Sequence, residues 1–148
     1  MEIQTLCIAV NSSLHLLKGA RTGSTINHKK VELFQESIKD ILNVSATGYL
    51  WDTEVQAKGR AEKDSIDIMG QAKNLKDWII EIDATRTDQV SQKMLSRLTL
   101  WGLNGPIQYV AILYPDAHNK GKAACEKYLR YGNALVKKLN SKDRKSVV

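Results

Sequence analysis

The stretch Trp78-Ile79-Ile80-Glu81-Ile82-Asp83 is the most informative part of the sequence, because it places two acidic residues in an otherwise apolar run. In a β-strand, residues two apart point to the same side of the sheet. Glu81 and Asp83 would therefore share one face, while Ile80 and Ile82 would point into a core. A carboxylate is costly to bury unless it is paired or bound to a metal ion. The stretch predicts a strand that carries a charged site.

A third acidic residue supports this interpretation. Asp67 lies in a second strand-like run, Ser65-Ile66-Asp67-Ile68-Met69, and thirteen residues separate it from Glu81. Repulsion between neighbouring carboxylates favours a bound cation, and carboxylates are the preferred ligands of hard divalent ions. Three acids on two neighbouring strands therefore predict a divalent-cation site.

The acidic residues also have a purely structural alternative. Glu81 and Asp83 would then lie on a solvated sheet face and pair with one of three nearby basic residues, Lys73, Lys76 or Arg86. Glu54, on the preceding strand, is interpreted as a surface residue.

The composition bounds the class of protein. With 148 residues, 43% of them hydrophobic and 26% charged, the chain is expected to form one soluble globular domain. No apolar run reaches the roughly 20 residues of a membrane helix, and the N-terminus does not resemble a signal peptide. We therefore expect a cytoplasmic protein with no membrane partner. Cys7 and Cys125 lack metal-ligand spacing and are expected to be reduced, packed thiols.

Positive charge is concentrated at the C-terminal end. The net charge is +6, but residues 118–148 hold nine Lys or Arg against two acids, which is +7 and leaves −1 for the remainder. A basic segment beside an acid-bearing centre is typical of a protein that binds a polyanion and a cation. The alternative is a solvated helix with a frayed tail.

Hydrophobic periodicity and turn residues give the order of elements. Helices are predicted at 2–18, 28–42, 87–102 and 119–140, and strands at 49–56, 65–69, 78–84 and 107–114. The last strand is nearly all apolar, as expected of a central strand covered on both faces. The domain 1–148 would comprise an N-terminal helix and loop (1–26), a core (27–115) and a basic C-terminal helix and tail (116–148). The order predicts an α/β fold with a mixed sheet flanked by helices.

This order, with acids at these places, resembles the core of the PD-(D/E)XK nuclease superfamily, the restriction-endonuclease-like fold, over roughly residues 28–114. The resemblance implies an αβββαβ core, here with an extra N-terminal helix and the basic C-terminal helix. In that superfamily an Asp lies on the second core strand and an acid-x-Lys triplet on the third. Asp67 and Glu81 match the two acids, whereas Asp83 occupies the position normally held by lysine.

Two further residues complete the resemblance. Some members place the lysine on the following helix, where Lys93 is the candidate. A glutamate on the preceding helix often joins the acids, and Glu36 or Glu32 fits that position.

The resemblance implies phosphodiester hydrolysis of DNA with Mg²⁺ or Mn²⁺, in a possible homodimer that cuts both strands. Asp67 and Glu81 would be metal ligands, Asp83 a ligand or the base that orients the water, and Lys93 would hold the water or the developing charge. Glu36 would be a further ligand. The residues expected to contact nucleic acid are Arg60, Gln89, Arg97, Lys120 and Lys122.

The alternatives belong to other functional classes. Gln89 and Arg97 share a helix face with Lys93, but a solvent-facing side is the favoured interpretation for these two. Arg60 also fits a plain turn. Since Asp83 replaces the motif lysine, the chain could be an inactive nuclease-fold protein that binds nucleic acid or serves as an assembly subunit. The basic helix could instead dock an acidic protein.

Overall fold

A computed structural model describes residues 1–22, 25–56, 65–83, 89–100, 106–113 and 122–140. The helices are α1 (Ile3–Ser13), α2 (His28–Ser45), α3 (Val90–Leu100) and α4 (Lys122–Asn140). The strands are β1 (Arg21–Thr22), β2 (Thr25–Ile26), β3 (Leu50–Gln56), β4 (Ser65–Gln71), β5 (Asp77–Asp83) and β6 (Ile107–Leu113). The fold is α/β, with a four-stranded mixed sheet in the order β3-β4-β5-β6 and flanking helices, which confirms the predicted class. No helix in the described ranges is long and apolar enough to cross a membrane.

The chain divides into two compact units. The first unit comprises Met1–Glu81 and Trp101–Val110, and the second comprises Ile82–Leu100 and Ala111–Val148. That residues 1–148 form one domain stays a prediction.

The core of the first unit forms where α2 packs on β3 and β4. The side chain of Asn27 accepts a hydrogen bond from the Lys30 backbone N–H and so caps α2. Phe34, Ile38 and Leu42 recur at helical spacing and are fully buried. This stripe fixes the side of α2 that faces the sheet.

The three consecutive strands form an antiparallel meander in which β4 pairs with both β3 and β5. Trp51 pairs with Gly70, and Gly70 pairs with Trp78. The Trp51 ring lies so close to Gly70 that a Cβ added there would be 2.4 Å from a ring carbon. Glycine is therefore required at this position, because the large ring occupies the space of any side chain.

The second unit contains the helix pair α3 and α4, which pack on each other. Val90 and Met94 are buried on α3. On α4, Cys125 and Gly132 are buried, and a Cβ added to Gly132 would lie 3.9 Å from Val90. These contacts define the inner side of α4.

The helix predicted at 2–18 is present as α1, which ends at Ser13, and a 3-10 turn over Leu14–Leu17. Three other predictions are wrong. Cys7 is exposed on α1, whereas Cys125 is buried as expected. Cys7 is exposed because α1 buries the side that carries Leu6 and Ala9. The loop predicted after Gly19 contains the short strand pair β1–β2.

The third correction concerns β6, which was predicted to be a central strand. In the described sheet β6 lies at one end of the strand order, and each of its residues is half-buried. The inner strands are β4 and β5, and the residues of β5 from Trp78 to Asp83 are all buried. An apolar run indicates how much a strand is covered, but it does not determine the strand's place in the sheet.

Candidate functional site

Two acidic residues occupy neighbouring positions on β4 and β5 in the first unit. Ile68 pairs with Ile80, and Asp67 and Glu81 are the next residues along their strands. Glu81 is only 1% exposed, and Asp67 is half-buried. A carboxylate this deep in a sheet requires compensation by a hydrogen bond, a positive charge or a cation.

Glu54 on β3 is a third acidic residue in line with Asp67 and Glu81 across the sheet. The pairing of β3 with β4 includes Thr53 with Ile68 and Val55 with Ile66, so Glu54 and Asp67 lie between these two pairs. Glu54 has φ = 50°, which is uncommon for a residue other than glycine. Glu54 is exposed, as predicted.

Two side chains hold the Glu54 carboxylate. Gln35 Nε2 donates to Oε1 at 3.0 Å, and Ser65 Oγ donates to Oε2 at 2.5 Å. The sequence analysis missed Gln35, which is buried next to Phe34 on α2. The available signal was its position beside the apolar stripe, where an amide must find a partner.

In the second unit, Asp83 lies at the end of β5 and is buried. Lys93 reaches it from α3, with 3.1 Å between Lys93 Nζ and Asp83 Oδ2. Because Glu81 and Asp83 are both buried, the alternative of a solvated sheet face is wrong. That alternative paired the acids with Lys73, Lys76 or Arg86, and Arg86 lies outside the described residues.

The structure describes three of the five residues expected to contact nucleic acid. Arg97 is only 5% exposed, so the solvent-facing interpretation is wrong for it, and Gln89 is half-buried. Lys122 is exposed on the first turn of α4, and its Nζ lies 3.8 Å from Glu126 Oε1. Arg60 and Lys120 lie outside the described residues.

Glu36 has partners of its own on the surface formed by α2 and β3. Its carboxylate accepts hydrogen bonds from Lys39 Nζ and Thr53 Oγ1. The Lys39 ammonium, followed by the Thr53 hydroxyl, holds the pKa of Glu36 below its ordinary value. The same contact raises the pKa of Lys39. Glu36 as a metal ligand remains a prediction, and its carboxylate would have to exchange these partners for the ion.

Whether a divalent cation fits depends on how many carboxylates are grouped. Across the described residues, no three His, Cys, Asp or Glu side chains are grouped so that they could hold a metal. Mg²⁺ commonly takes one or two carboxylates and completes its shell with waters and substrate phosphate oxygens. Asp67 and Glu81, at neighbouring positions on β4 and β5, would supply two carboxylates of that kind, and oxygen ligands also suit Mn²⁺.

Comparison with known proteins gave no match, whether to family models, to curated proteins or to solved structures.

Proposed function

We propose that this chain is a metal-dependent endonuclease that hydrolyses phosphodiester bonds of DNA, built on a restriction-endonuclease-like core. The order α2-β3-β4-β5-α3-β6 supports the proposal, because it reproduces the αβββαβ sequence of elements that the resemblance implies. The observation that carries it is the buried carboxylate of Glu81 beside Asp67 on the adjacent strand.

The metal ligands are two acids of the first unit. Asp67 and Glu81 bind Mg²⁺ or Mn²⁺ through carboxylate oxygens. When bound, the ion neutralises phosphate charge and lowers the pKa of water. No third acidic side chain of the described residues is grouped with these two as a ligand. Asp83 and Lys93 pair with each other within the second unit.

The test is cleavage of supercoiled plasmid by the purified chain with Mg²⁺ or Mn²⁺, and with EDTA as the metal-free control. We expect Asp67→Asn to lower the cleavage rate by at least about 100-fold, because a lost metal ligand removes several kcal/mol of stabilisation. Asp52→Asn is the matched control, since it makes the same change at an exposed position on β3. Cleavage that survives Asp67→Asn at the Asp52→Asn rate would refute the proposal.

A second candidate function follows from Asp83, which occupies the position where the resemblance calls for lysine. The chain would then bind nucleic acid without cutting it, as a binding or assembly subunit. DNA binding that is salt-sensitive, indifferent to Mg²⁺ and unchanged in Asp67→Asn, with no cleavage by the wild type, would favour this function.

A further inference from the structure

The outer side of α4 carries a continuous set of basic side chains. Cys125 and Gly132 are buried and mark the inner side, which packs towards α3. With 3.6 residues per turn, four of the five basic residues of this helix fall on the opposite half, whereas Lys122 lies nearer the inner side. These four are exposed, and we call them the α4 basic face: Lys127, Arg130, Lys137 and Lys138. Glu126 is the single acidic residue of α4, so the helix carries a net charge of +4.

Aromatic contacts orient one of these cations. Lys127 Nζ lies 5.5 Å from the ring centroid of Tyr128 and 5.7 Å from that of Tyr131. The two rings meet edge to face, with centroids 5.9 Å apart. A cation held over an aromatic face has less conformational freedom to lose when it binds an anion.

The chemistry of the α4 basic face favours a polyanion over a protein partner. Protein interfaces are depleted of charged residues at their centre and contain large apolar anchors. Here the centre of the face is charged, and the exposed large side chains of α4, Leu129 and Tyr131, lie towards its margins. The 19 residues of α4 span about 28 Å, over which one strand of B-DNA carries about eight phosphates.

We propose that the α4 basic face binds the phosphate backbone of duplex DNA. The choice of DNA as the ligand rests on the proposed function. The new part of the inference is the surface of the second unit that binds this DNA. Lysine and arginine that neutralise phosphates release counterions, so affinity through this face falls steeply with salt and is independent of base sequence.

The test is fluorescence anisotropy with a short labelled duplex across a salt series, with EDTA present to prevent cleavage. The triple variant Lys127→Ala/Arg130→Ala/Lys137→Ala should bind about 10- to 100-fold more weakly at low salt. Its slope of log K against log salt should be smaller by about 2–3, at roughly 0.9 per lost phosphate contact. The matched control is Lys18→Ala/Lys29→Ala/Lys73→Ala, which removes the same charge from exposed positions in the first unit. It should stay within about threefold of the wild type.

Equal losses in both triple variants, or an unchanged salt slope, would overturn the inference. Absence of DNA binding at low salt would also overturn it and would leave an acidic protein as the partner of α4. A plasmid cleavage assay distinguishes failure of this inference from failure of the proposed function. If the wild type cleaves plasmid but both triple variants lose the same DNA affinity, only the assignment to α4 is refuted. If the α4 variant alone loses affinity but the wild type does not cleave plasmid, only the nuclease proposal is refuted.

Discussion

Two carboxylate–lysine pairs in this molecule have the same chemistry in different surroundings. In the second unit, Asp83 and Lys93 have side chains that are 8% and 27% exposed. In the first unit, Glu36 and Lys39 have side chains that are 45% and 21% exposed. The difference lies in the carboxylate, which is withdrawn from water in one pair and half-solvated in the other. Burial, and not the presence of a lysine, therefore separates a candidate functional group from a surface ion pair.

The physical consequence concerns what is left when one partner is removed. An exposed pair contributes little to stability, because water solvates each ion alone almost as well. A buried pair also contributes little net stability, but removing one partner leaves an uncompensated buried charge, which is strongly destabilising. A pair such as Asp83–Lys93 is thus poorly explained by stability alone, which agrees with a role in binding or chemistry.

The largest expected effect is that of Lys93→Met, which should lower the free energy of unfolding by about 3 kcal/mol. It removes the ammonium next to a buried carboxylate while keeping the length of the side chain. Urea denaturation measures the change, with Lys39→Met as the matched control, which should cost less than about 1 kcal/mol. The variant Lys93→Met/Asp83→Asn should recover part of the loss. If both single lysine variants cost the same, the contrast between the two pairs is wrong.

These two pairs also show what the sequence could predict. Alternation around Glu81 and Asp83 identified β5, and the turn residues separated it from β4, so the meander and its acids were predictable. The depth of burial was not, because period-2 alternation is the same for a strand with one solvated face and for a strand covered on both. Lys93 was predicted through the resemblance, but its 3.1 Å contact with Asp83 depends on how α3 packs.

A smaller effect is expected where packing, without charge, fills the inner part of the sheet. Gly70→Ala should lower the free energy of unfolding by about 1–3 kcal/mol, because its Cβ would overlap the buried Trp51 ring. Thermal unfolding provides the measurement, and Gly48→Ala is the matched control, because a Cβ there meets nothing within 4 Å. A loss above that of Lys93→Met would mean that steric fit, more than charge, dominates this region. Equal stability of the two glycine variants would contradict the close approach itself.

The remaining differences between sequence and structure arise from tertiary contacts. The sequence favoured a solvent-facing Arg97 because a polar residue on a helix is usually solvated, yet the packing of the second unit buries it. It favoured a central β6 because the strand is apolar, yet the described sheet ends there. Side-chain type predicts the average environment of a residue, and charged residues that depart from that average are candidates for function.

The smallest effect should come from Glu36→Gln, which removes the charge of the exposed pair. Hydrogen bonds from Lys39 and Thr53 lower the pKa of Glu36, so its stabilisation is present above the pKa of the unfolded chain. That stabilisation is lost as pH falls through the lowered pKa of the folded protein. Lys39 has a raised pKa, chiefly because of Glu36, so its share is lost only as pH rises through that value in the alkaline range.

The difference in stability between wild type and Glu36→Gln should therefore be greatest near neutral pH and should shrink on acidification. Its size should stay under about 1 kcal/mol, because solvent screens a half-exposed carboxylate. That corresponds to a shift of at most about 2–4 °C in Tm. Urea denaturation across a pH series measures it, and Glu32→Gln, an exposed position one turn earlier on α2, is the control. A difference that grows as pH falls would mean that Glu36 is protonated more easily in the folded chain, opposite to what its two donors impose.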